Sequence, residues 1–567
     1  MTNDEPALPG FARVNPNNPY AMLHKLLWPT GPTSSQPADS AAPEPERLAR
    51  HIDACVADLS LWTDDQDGDA TAMDVDDSER PPPAPPIRYI NLAEVEHKSL
   101  AVHRLLALDM IIVRQEYVDF MAHATAHVMQ GKKIHVFLTG QPGIGKSIGA
   151  GYFLFRLLAS GRSVFFIPDK HSIFYFSEAG VDVVNASHNM GNINVKRALR
   201  CSWILIDVES GSQEWFPDPW VELASCLVWT SSPRERRMHH FNKQYKATAW
   251  YMKPWSLAEI AAVMTLQKRD PKDIRARFAR SGPVARNLFS DPEMVTDTSL
   301  DKVINKALAD NLFNFATSNL VDQMFLIRPQ EVLDEAERPS LQRRECSFEF
   351  LSNYIASRTA ELTERHVEKV WQQLARAFDN PDTRSAAGKL VESMLHRALI
   401  HRKIDLPAAF GGGPVAELEL IGKAEDFCLE THAPNRRDCR PLYLRPQTPN
   451  FAAVDAILVT VAVLCLFQTS LATSHSHVVK TLLQILTRLE INKIAVDSLR
   501  LVYCVVGTDE GRVKRLVREA SEKLTTLQAS PQARELGNLS QIALTRLNRL
   551  RVVGFKFDMQ KGLVPLS

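Results

Sequence analysis

The sequence predicts an α/β fold in more than one domain, and three observations support this. The chain has 567 residues, which is too long for a single hydrophobic core, and its hydrophobic content of 45% is that of a globular protein. Between residues 134 and 252, short apolar segments alternate with helical ones, which predicts a parallel sheet covered on both faces. A glycine-rich segment, residues 140–147, joins a predicted strand to a predicted helix.

The N-terminal residues 1–86 are predicted to form a disordered tail. They are acidic and proline-rich, and low hydrophobicity with clustered charge does not offset the entropy of ordering a chain. Short helices near residues 20–28 and 49–62 are the expected exceptions. A chain that begins at Ile87 is therefore expected to keep the activity of the folded part.

Residues 87–290 are predicted to form the sheet domain. Helical apolar spacing runs from residue 100 to 130, and a second helix is expected at 147–159. The predicted strands are residues 134–138, 163–167, 203–207, 226–230 and 248–252.

Two further regions follow the sheet domain. Residues 291–380 have a helical pattern without convincing strands and are expected to form a helical subdomain or linker. Residues 381–567 are predicted to form a second α/β domain. Its expected helices are 386–401, 476–489 and 511–528, and its expected strands are 416–421, 454–460, 463–469 and 501–506.

Charge, cysteine content and hydropathy restrict the class of protein only in part. Lys+Arg and Asp+Glu both number 66, but acidic residues cluster between 64 and 79, so the remainder is mildly basic and compatible with DNA. The 8 cysteines include no CxxC pair, which argues against a zinc site and a disulfide framework. We see neither a signal peptide nor a membrane-spanning run, so we expect an intracellular protein of the cytoplasm or nucleus, with secretion as an effector as the alternative.

The glycine-rich segment matches the phosphate-binding motif GxxxxGK[S/T] without a mismatch. Backbone N–H groups in such a loop surround phosphates, the lysine neutralises the β and γ oxygens, and the serine hydroxyl binds Mg²⁺. The sequence therefore predicts a P-loop nucleoside-triphosphatase domain. The expected nucleotide-binding residues are Gly140, Gln141, Pro142, Gly143, Ile144, Gly145, Lys146 and Ser147.

Two acidic residues follow the apolar segment 203–206. Asp207 is placed as the aspartate that holds Mg²⁺ opposite Ser147, and Glu209 as the base that polarises the attacking water. The alternatives are a surface acid at a strand end for Asp207 and an uninvolved side chain for Glu209.

Three polar residues farther along are candidates for sensing the γ-phosphate. Ser231 or Ser232 follows the next strand, where a plain turn is the alternative, and Arg286 opens a later helix, where a solvated arginine is the alternative. ATP is favoured over GTP because the nearest candidate for a guanine-reading N/TKxD element, residues 242–245, lacks the aspartate.

Seven segments together resemble the Crinkler and retrotransposon-hot-spot group. They are residues 137–147, 229–233, 252–256, 282–286, 387–392, 454–455 and 467–469. The resemblance implies an AAA+-like ATPase joined to a divergent restriction-endonuclease-like domain, in proteins often interpreted as effectors acting in nuclei. The N-terminal delivery header of that group is not recognisable here.

The resemblance also implies a nuclease site in the C-terminal domain. Nucleases of this class hold Mg²⁺ with acidic groups from a helix and two hairpin strands, and a lysine orients the water. The corresponding residues are Glu392 and Asp455 as metal ligands, Gln468 in place of the second strand carboxylate, and Lys480 as the lysine. Ser470 stands where that lysine usually lies, so the alternative is a degenerate domain that binds a partner without cutting.

Three functions remain open from the sequence. The first is an ATPase that controls a DNA nuclease, with ATP and Mg²⁺ as cofactors. The second is an ATP-driven switch with a partner-binding C-terminal domain, and the third is a nucleotide-binding scaffold. The expected partners are ATP, DNA and a second copy of the chain in a homo-oligomer, and no membrane.

Overall fold

The chain forms two compact units. One contains residues Met1–Thr296 and Asn314–Ser352, and the other Asp297–Phe313 and Asn353–Ser567. The computed structural model describes residues 6–29, 45–55, 86–91, 110–185, 192–207, 223–231, 246–289, 296–310, 312–313, 321–333, 339–363, 370, 372–374, 376–377, 380–401, 425–427, 442–446, 456–459, 463–469, 500–507, 510–529, 551–558 and 562–565.

Strands and helices alternate along both units. The strands are β1 (Ala12–Arg13), β2 (Ile52–Cys55), β3 (Ile87–Asn91), β4 (Met110–Val113), β5 (Ile134–Thr139), β6 (Val164–Ile167), β7 (Ser172–Ser177), β8 (Gly180–Asn185), β9 (Trp203–Ile206), β10 (Cys226–Thr230), β11 (Thr248–Tyr251), β12 (Phe325–Leu333), β13 (Pro339–Phe350), β14 (Glu425–Phe427), β15 (Leu442–Pro446), β16 (Ala456–Val459), β17 (Val463–Thr469), β18 (Arg500–Gly507), β19 (Arg551–Asp558) and β20 (Gly562–Pro565). The helices are α1 (Pro19–Leu27), α2 (Glu46–Ala49), α3 (Gln115–Met129), α4 (Lys146–Ala159), α5 (Ile193–Cys201), α6 (Leu257–Leu266), α7 (Pro271–Ser281), α8 (Ala285–Phe289), α9 (Asp297–Ala309), α10 (Val321–Met324), α11 (Asn353–Thr363), α12 (Pro381–His401) and α13 (Glu510–Ala529).

The sheet of the first unit confirms the α/β class. Within the described residues it has eight strands in the order β1-β8-β7-β6-β9-β10-β5-β11. The five from β6 to β11 are mutually parallel, whereas β7, β8 and β1 add antiparallel strands at one edge. The sequence does not predict β7 and β8. Short turns connect β6 to β7 and β7 to β8, and because turns of this length join only antiparallel strands, these strands do not extend the parallel part of the sheet.

Both faces of this sheet are covered by apolar side chains. One face packs on α1, α3 and α4 through residues such as Tyr20, Phe120 and Phe153. The other face packs on α5 through Val195 and Leu199. Burial on both faces explains why the central strands are continuous apolar runs without polar alternation.

The predicted disorder is wrong for residues 6–19 and 45–48, which lie outside the two expected helices. The predicted helix near residue 20 is confirmed as α1, but residues 52–55 form strand β2, not a helix. β1 pairs with β8, and Phe11 is buried against the sheet. The average composition of residues 1–86 conceals these apolar residues, because the acidic stretch dominates it.

A hairpin of β12 and β13 contradicts the prediction of a purely helical region between 291 and 380. The two strands pair from Phe325↔Phe350 to Leu333↔Pro339, with a register shift between Pro329 and Gln330. The charged residues of the β13 segment favour a helix prediction, but pairing with β12 makes this segment a strand.

The second unit contains a separate mixed sheet. Within the described residues it has the order β14 to β20 in sequence, and β16 lies antiparallel to both β15 and β17. The predicted elements at 386–401, 454–460, 463–469, 501–506 and 511–528 correspond to α12, β16, β17, β18 and α13. The predicted strand at 416–421 and helix at 476–489 lie outside the described residues. Across the part of the chain that the structure describes, no helix is long and apolar enough to cross a membrane.

Candidate functional site

The loop that joins β5 to α4 contains the predicted phosphate-binding residues. α4 begins at Lys146, and the preceding Gly145 has a φ of 103°, which side-chain-bearing residues rarely adopt. Gly143 also has a positive φ, and a Cβ there would lie 2.6 Å from Arg286 Cβ. The glycines are therefore required both by the backbone conformation and by the close approach of a neighbouring segment.

The Lys146 side chain folds over this loop. Its Nζ donates hydrogen bonds to the carbonyl oxygens of Gly140 and Gln141, each at 3.0 Å. The ammonium thus lies beside the N-terminus of α4, whose unpaired N–H groups and dipole favour an anion. The Lys146 ammonium and the positive end of the α4 dipole therefore lie at the same loop, an arrangement that favours phosphate binding.

Ser147 and Asp207 meet although 60 residues separate them. Ser147 Oγ donates to Asp207 Oδ1 at 2.9 Å, and the Thr230 hydroxyl hydrogen-bonds the same carboxylate oxygen. Three strand or helix ends therefore place oxygen ligands at one point, which suits a hard cation such as Mg²⁺. The sequence predicts the first two residues; Thr230 is an addition from the structure.

The candidate γ-phosphate sensors lie in different surroundings. Ser231 is buried, its N–H donates to the Leu138 carbonyl at 3.1 Å, and its Oγ has no hydrogen-bond partner in the described part of the chain. Arg286 is exposed, and its backbone N–H lies 3.4 Å from the Gly143 carbonyl. Ser232 and Glu209 lie outside the described residues.

A buried arginine, Arg114, donates a hydrogen bond to the backbone of the phosphate-binding loop. Arg114 Nη1 donates to the Ile144 carbonyl at 3.2 Å, and Arg114 Nε pairs with Glu259 Oε1 at 2.9 Å. Trp255 Nε1 donates to the same Ile144 carbonyl at 2.8 Å. Burial lowers the pKa of Arg114, but the charge and hydrogen bonds of Glu259 outweigh it and raise that pKa above its ordinary value. The guanidinium therefore stays charged and rigidly held.

Two more side chains connect the loop to its neighbours. Tyr117 donates to the Gly145 carbonyl at 2.8 Å. The buried Gln141 side chain accepts from the Ile327 N–H at 3.1 Å, so the β12–β13 hairpin packs directly on the loop. Sequence reasoning assigned Gln141 to the loop but missed the roles of Arg114, Tyr117 and Trp255. The only available signal was that Trp255 lies in one of the segments that carry the resemblance.

The second unit places only part of the predicted nuclease site. Glu392 lies on α12, largely buried, and its Oε1 is 2.6 Å from Lys389 Nζ. Gln468 lies on β17 with Val505 as its strand partner. Asp455 and Lys480 lie outside the described residues, so their predicted convergence with Glu392 stays a prediction. Among the described residues, no group of three or more His, Cys, Asp or Glu side chains is arranged to hold a metal.

This chain is similar to Crinkler effector proteins. It is 25% identical over 377 residues to Crinkler effector protein 16 of Phytophthora infestans, which covers 61% of this chain and 56% of the relative. It is also 25% identical over 376 residues to Crinkler effector protein 15 of the same organism, with the same coverage. The chain spans about half the length of these curated relatives. No family model and no solved structure matches it.

Proposed function

We propose that the first unit binds and hydrolyses ATP with Mg²⁺ at the loop of residues 140–147. The observation that carries this proposal is the 2.9 Å hydrogen bond between Ser147 and Asp207 beside the Lys146 ammonium. A hydroxyl and a carboxylate at this distance are the ligands that a P-loop protein presents to the metal of a bound nucleotide.

The proposed roles follow from the positions of the side chains. The loop N–H groups and Lys146 hold the β and γ oxygens, and Ser147 and Asp207 would hold Mg²⁺, which would supply positive charge to the phosphates. Thr230 orients the Asp207 carboxylate through their hydrogen bond. Glu209 accepts a proton from the attacking water while the water oxygen forms a bond to the γ-phosphorus. The bond between the γ-phosphorus and the β–γ bridging oxygen breaks, and ADP and phosphate are released.

The test compares Lys146→Ala with Lys132→Ala in the full chain. Lys132 is exposed and lies just before β5, at the strand end opposite the loop. We expect Mg²⁺-dependent ATP turnover in the wild type and Lys132→Ala, and loss of turnover with greatly weakened ATP binding in Lys146→Ala, since the point charge on the β and γ oxygens is gone. Wild-type turnover in Lys146→Ala would overturn the assignment of this site.

For the second unit, the proposal is a nuclease module acting on DNA under control of the ATPase. It is supported by the order of a helix bearing Glu392, then the antiparallel strands β16 and β17, with Gln468 on the second strand. The relatives' name, effector, is compatible with such an activity. The experiment incubates plasmid DNA with the chain and Mg²⁺ or Mn²⁺, with and without ATP. Cleavage that Asp455→Ala abolishes, while Glu510→Ala at an exposed position of α13 retains it, supports catalysis.

A second candidate is an ATP-driven switch whose second unit binds a partner without cutting. The ion pair between Lys389 and Glu392 favours it, because a carboxylate already neutralised by a neighbouring ammonium is a weaker metal ligand. Under this alternative no DNA cleavage is observed, ATP turnover is normal, and Asp455→Ala changes neither.

A further inference from the structure

Two histidines lie one helical turn apart on α3. His123 and His127 are both partly exposed, and the centres of their rings are 4.3 Å apart. Histidines at positions i and i+4 of a helix project from the same face, and helices that hold a transition metal through two imidazoles use this spacing. The segment differs from a zinc-protease helix because Ala124 stands where the catalytic glutamate would follow the first histidine.

Each of the two rings is held in place by a neighbouring group. The His127 Nδ1 donates a hydrogen bond to the His123 carbonyl at 2.9 Å, so in the neutral ring the proton is on Nδ1 and the lone pair is on Nε2. A hydrogen bond of this kind on the other ring nitrogen orients metal-binding histidines in proteins. The His123 ring lies 4.9 Å from the Trp250 ring, and Trp250 Nε1 donates to Glu116 at 3.0 Å. The pair is therefore preorganised, which lowers the entropy lost when a ligand binds.

The distance between the two rings indicates the class of metal. With metal–nitrogen bonds of about 2.0–2.1 Å, two imidazole centres are about 4.5 Å apart when the bonds meet at a right angle and about 5.2 Å apart at the tetrahedral angle. The observed 4.3 Å is close to the first value. Right-angled coordination by nitrogen is typical of Cu²⁺ and Ni²⁺, whereas Zn²⁺ prefers a tetrahedral arrangement.

The charges around the pair disfavour a hard cation. Burial lowers the pKa of His123 below its ordinary value, and the positive charges of His127 and Arg344 add to this effect. Because the Arg344 charge repels a cation, the affinity has to come from the two metal–nitrogen bonds, which favours metals that bind imidazole strongly over Mg²⁺ or Ca²⁺. Within the described ranges, no set of three or more His, Cys, Asp or Glu side chains is placed to hold a metal, so water would fill the remaining positions.

We propose that His123 and His127 form a two-histidine site for a divalent transition metal of the Cu²⁺ or Ni²⁺ class, with water at the other coordination positions. The site shares no residue with the phosphate-binding loop, so it is independent of the proposed ATPase function and of its Mg²⁺. The two metal–nitrogen bonds link successive turns of α3. A metal bound there stabilises the folded chain, because the unfolded chain does not hold the two rings together.

The experiment titrates Ni²⁺ alone into the full chain, without nucleotide, and measures the Kd by calorimetry and the change in Tm. The test variants are His123→Ala and His127→Ala, and the matched control is His171→Ala, an exposed histidine between β6 and β7. Because His123 lies against Trp250, the Tm of each variant without metal shows whether it is folded, and His127→Gln serves as a milder second variant. Arg344→Gln tests the neighbouring charge, and Zn²⁺ in place of Ni²⁺ tests the coordination geometry.

We expect Ni²⁺ to raise the Tm of the wild type. Loss of either histidine should raise the Kd at least about tenfold, because one imidazole alone gains nothing from a second linked ligand, whereas His171→Ala should bind Ni²⁺ as the wild type does. Arg344→Gln should bind Ni²⁺ more tightly, since a repelling charge is removed, and Zn²⁺ should bind the wild type more weakly than Ni²⁺.

Four results would overturn the inference. They are an absence of Ni²⁺ binding by the wild type, an unchanged Kd in the folded His123 and His127 variants, weaker Ni²⁺ binding in Arg344→Gln, and tighter binding of Zn²⁺ than of Ni²⁺. The third result would indicate that the positive charge of Arg344 assists the ligand, as expected for an anion site. Because no nucleotide is present, none of these results bears on the proposed ATPase function.

Discussion

The Tyr117 hydroxyl donates a hydrogen bond to the Gly145 carbonyl, and its ring fills the space where side chains on Gly145 and Gly149 would lie. Tyr117 is fully buried, and burial raises the pKa of its hydroxyl above the ordinary value, so it remains a donor at all physiological pH values. One side chain on α3 therefore fixes the conformation of a loop from which β5 separates it along the chain.

Tyr117→Phe tests this support. Removing the hydroxyl leaves the ring in place, so we expect a loss of about 1 kcal/mol in unfolding free energy and a severalfold higher Kd for MgATP, because the Gly145 carbonyl loses its donor. Chemical denaturation and nucleotide titration measure the two effects. Tyr152→Phe is the control, since the Tyr152 hydroxyl accepts a hydrogen bond from Arg156 Nη1 on the same helix at 3.1 Å. Wild-type MgATP affinity in Tyr117→Phe would show that the loop needs no such support.

Gly149→Ala should destabilise the protein although alanine favours helices. The new Cβ would lie 2.9 Å from Tyr117 Cε1, and we expect overpacking of about 1–3 kcal/mol to exceed the helix-propensity gain of about 1 kcal/mol. The same substitution made together with Tyr117→Leu should cost less than it does in the wild type. A double-mutant cycle of unfolding free energies measures this coupling, and additive effects would contradict the close contact.

Asp207→Asn and Glu209→Gln separate metal binding from water activation. We expect Asp207→Asn to weaken Mg²⁺-dependent ATP binding, because the carboxylate that meets Ser147 loses its charge. Glu209→Gln should bind ATP as the wild type does but lose hydrolysis, because an amide accepts no proton from water. Nucleotide affinity with and without Mg²⁺, together with turnover, distinguishes the two. Normal hydrolysis in Glu209→Gln would place the base elsewhere.

The N-terminal segment should be required for stability, in contrast to the sequence-based expectation that residues 1–86 are dispensable. Phe11 is buried and makes edge contacts with Phe165 and Tyr175, so Phe11→Ala should cost about 3–5 kcal/mol. Leu26→Ala, on the same segment but 38% exposed, should change stability by less than about 0.5 kcal/mol. Thermal unfolding measures both. Equal stability of Phe11→Ala and the wild type would support the original expectation that residues 1–86 are dispensable.

Docking of α1 should weaken in mild acid because of His24. The His24 ring donates to the Ser177 carbonyl at 2.8 Å and stacks on Trp28, and burial lowers its pKa below the ordinary value, with Arg13 adding to the effect. As pH falls below about 6.5, His24 takes up a proton in the unfolded chain at a higher pH than in the folded chain. The contribution of neutral His24 to folding stability is therefore complete above that pH and is lost below it. Unfolding curves between pH 7.5 and 5.5 should show a smaller loss of stability in His24→Gln than in the wild type. Parallel pH profiles would exclude His24 as the cause.

The sequence predicts the loop of residues 140–147 and the elements beside it because these signals are local. A glycine pattern between an apolar strand and a helix is complete within about twenty residues, and Asp207 is recognisable by its place after an apolar strand. The same reasoning fails for β12 and β13, where charged residues favour a helix in isolation and strand pairing overrides that preference.

The amino-acid sequence by itself thus determined the α/β class, the loop with Lys146 and Ser147, and the five parallel strands β5, β6, β9, β10 and β11 of the first sheet. Only the tertiary structure decided that Arg114, Tyr117 and Trp255 hold the loop, and that Thr230 contacts Asp207. The physical reason is that burial and strand register bring together residues from distant segments, and the energy of a buried hydrogen bond depends on that surrounding structure, which no local pattern encodes.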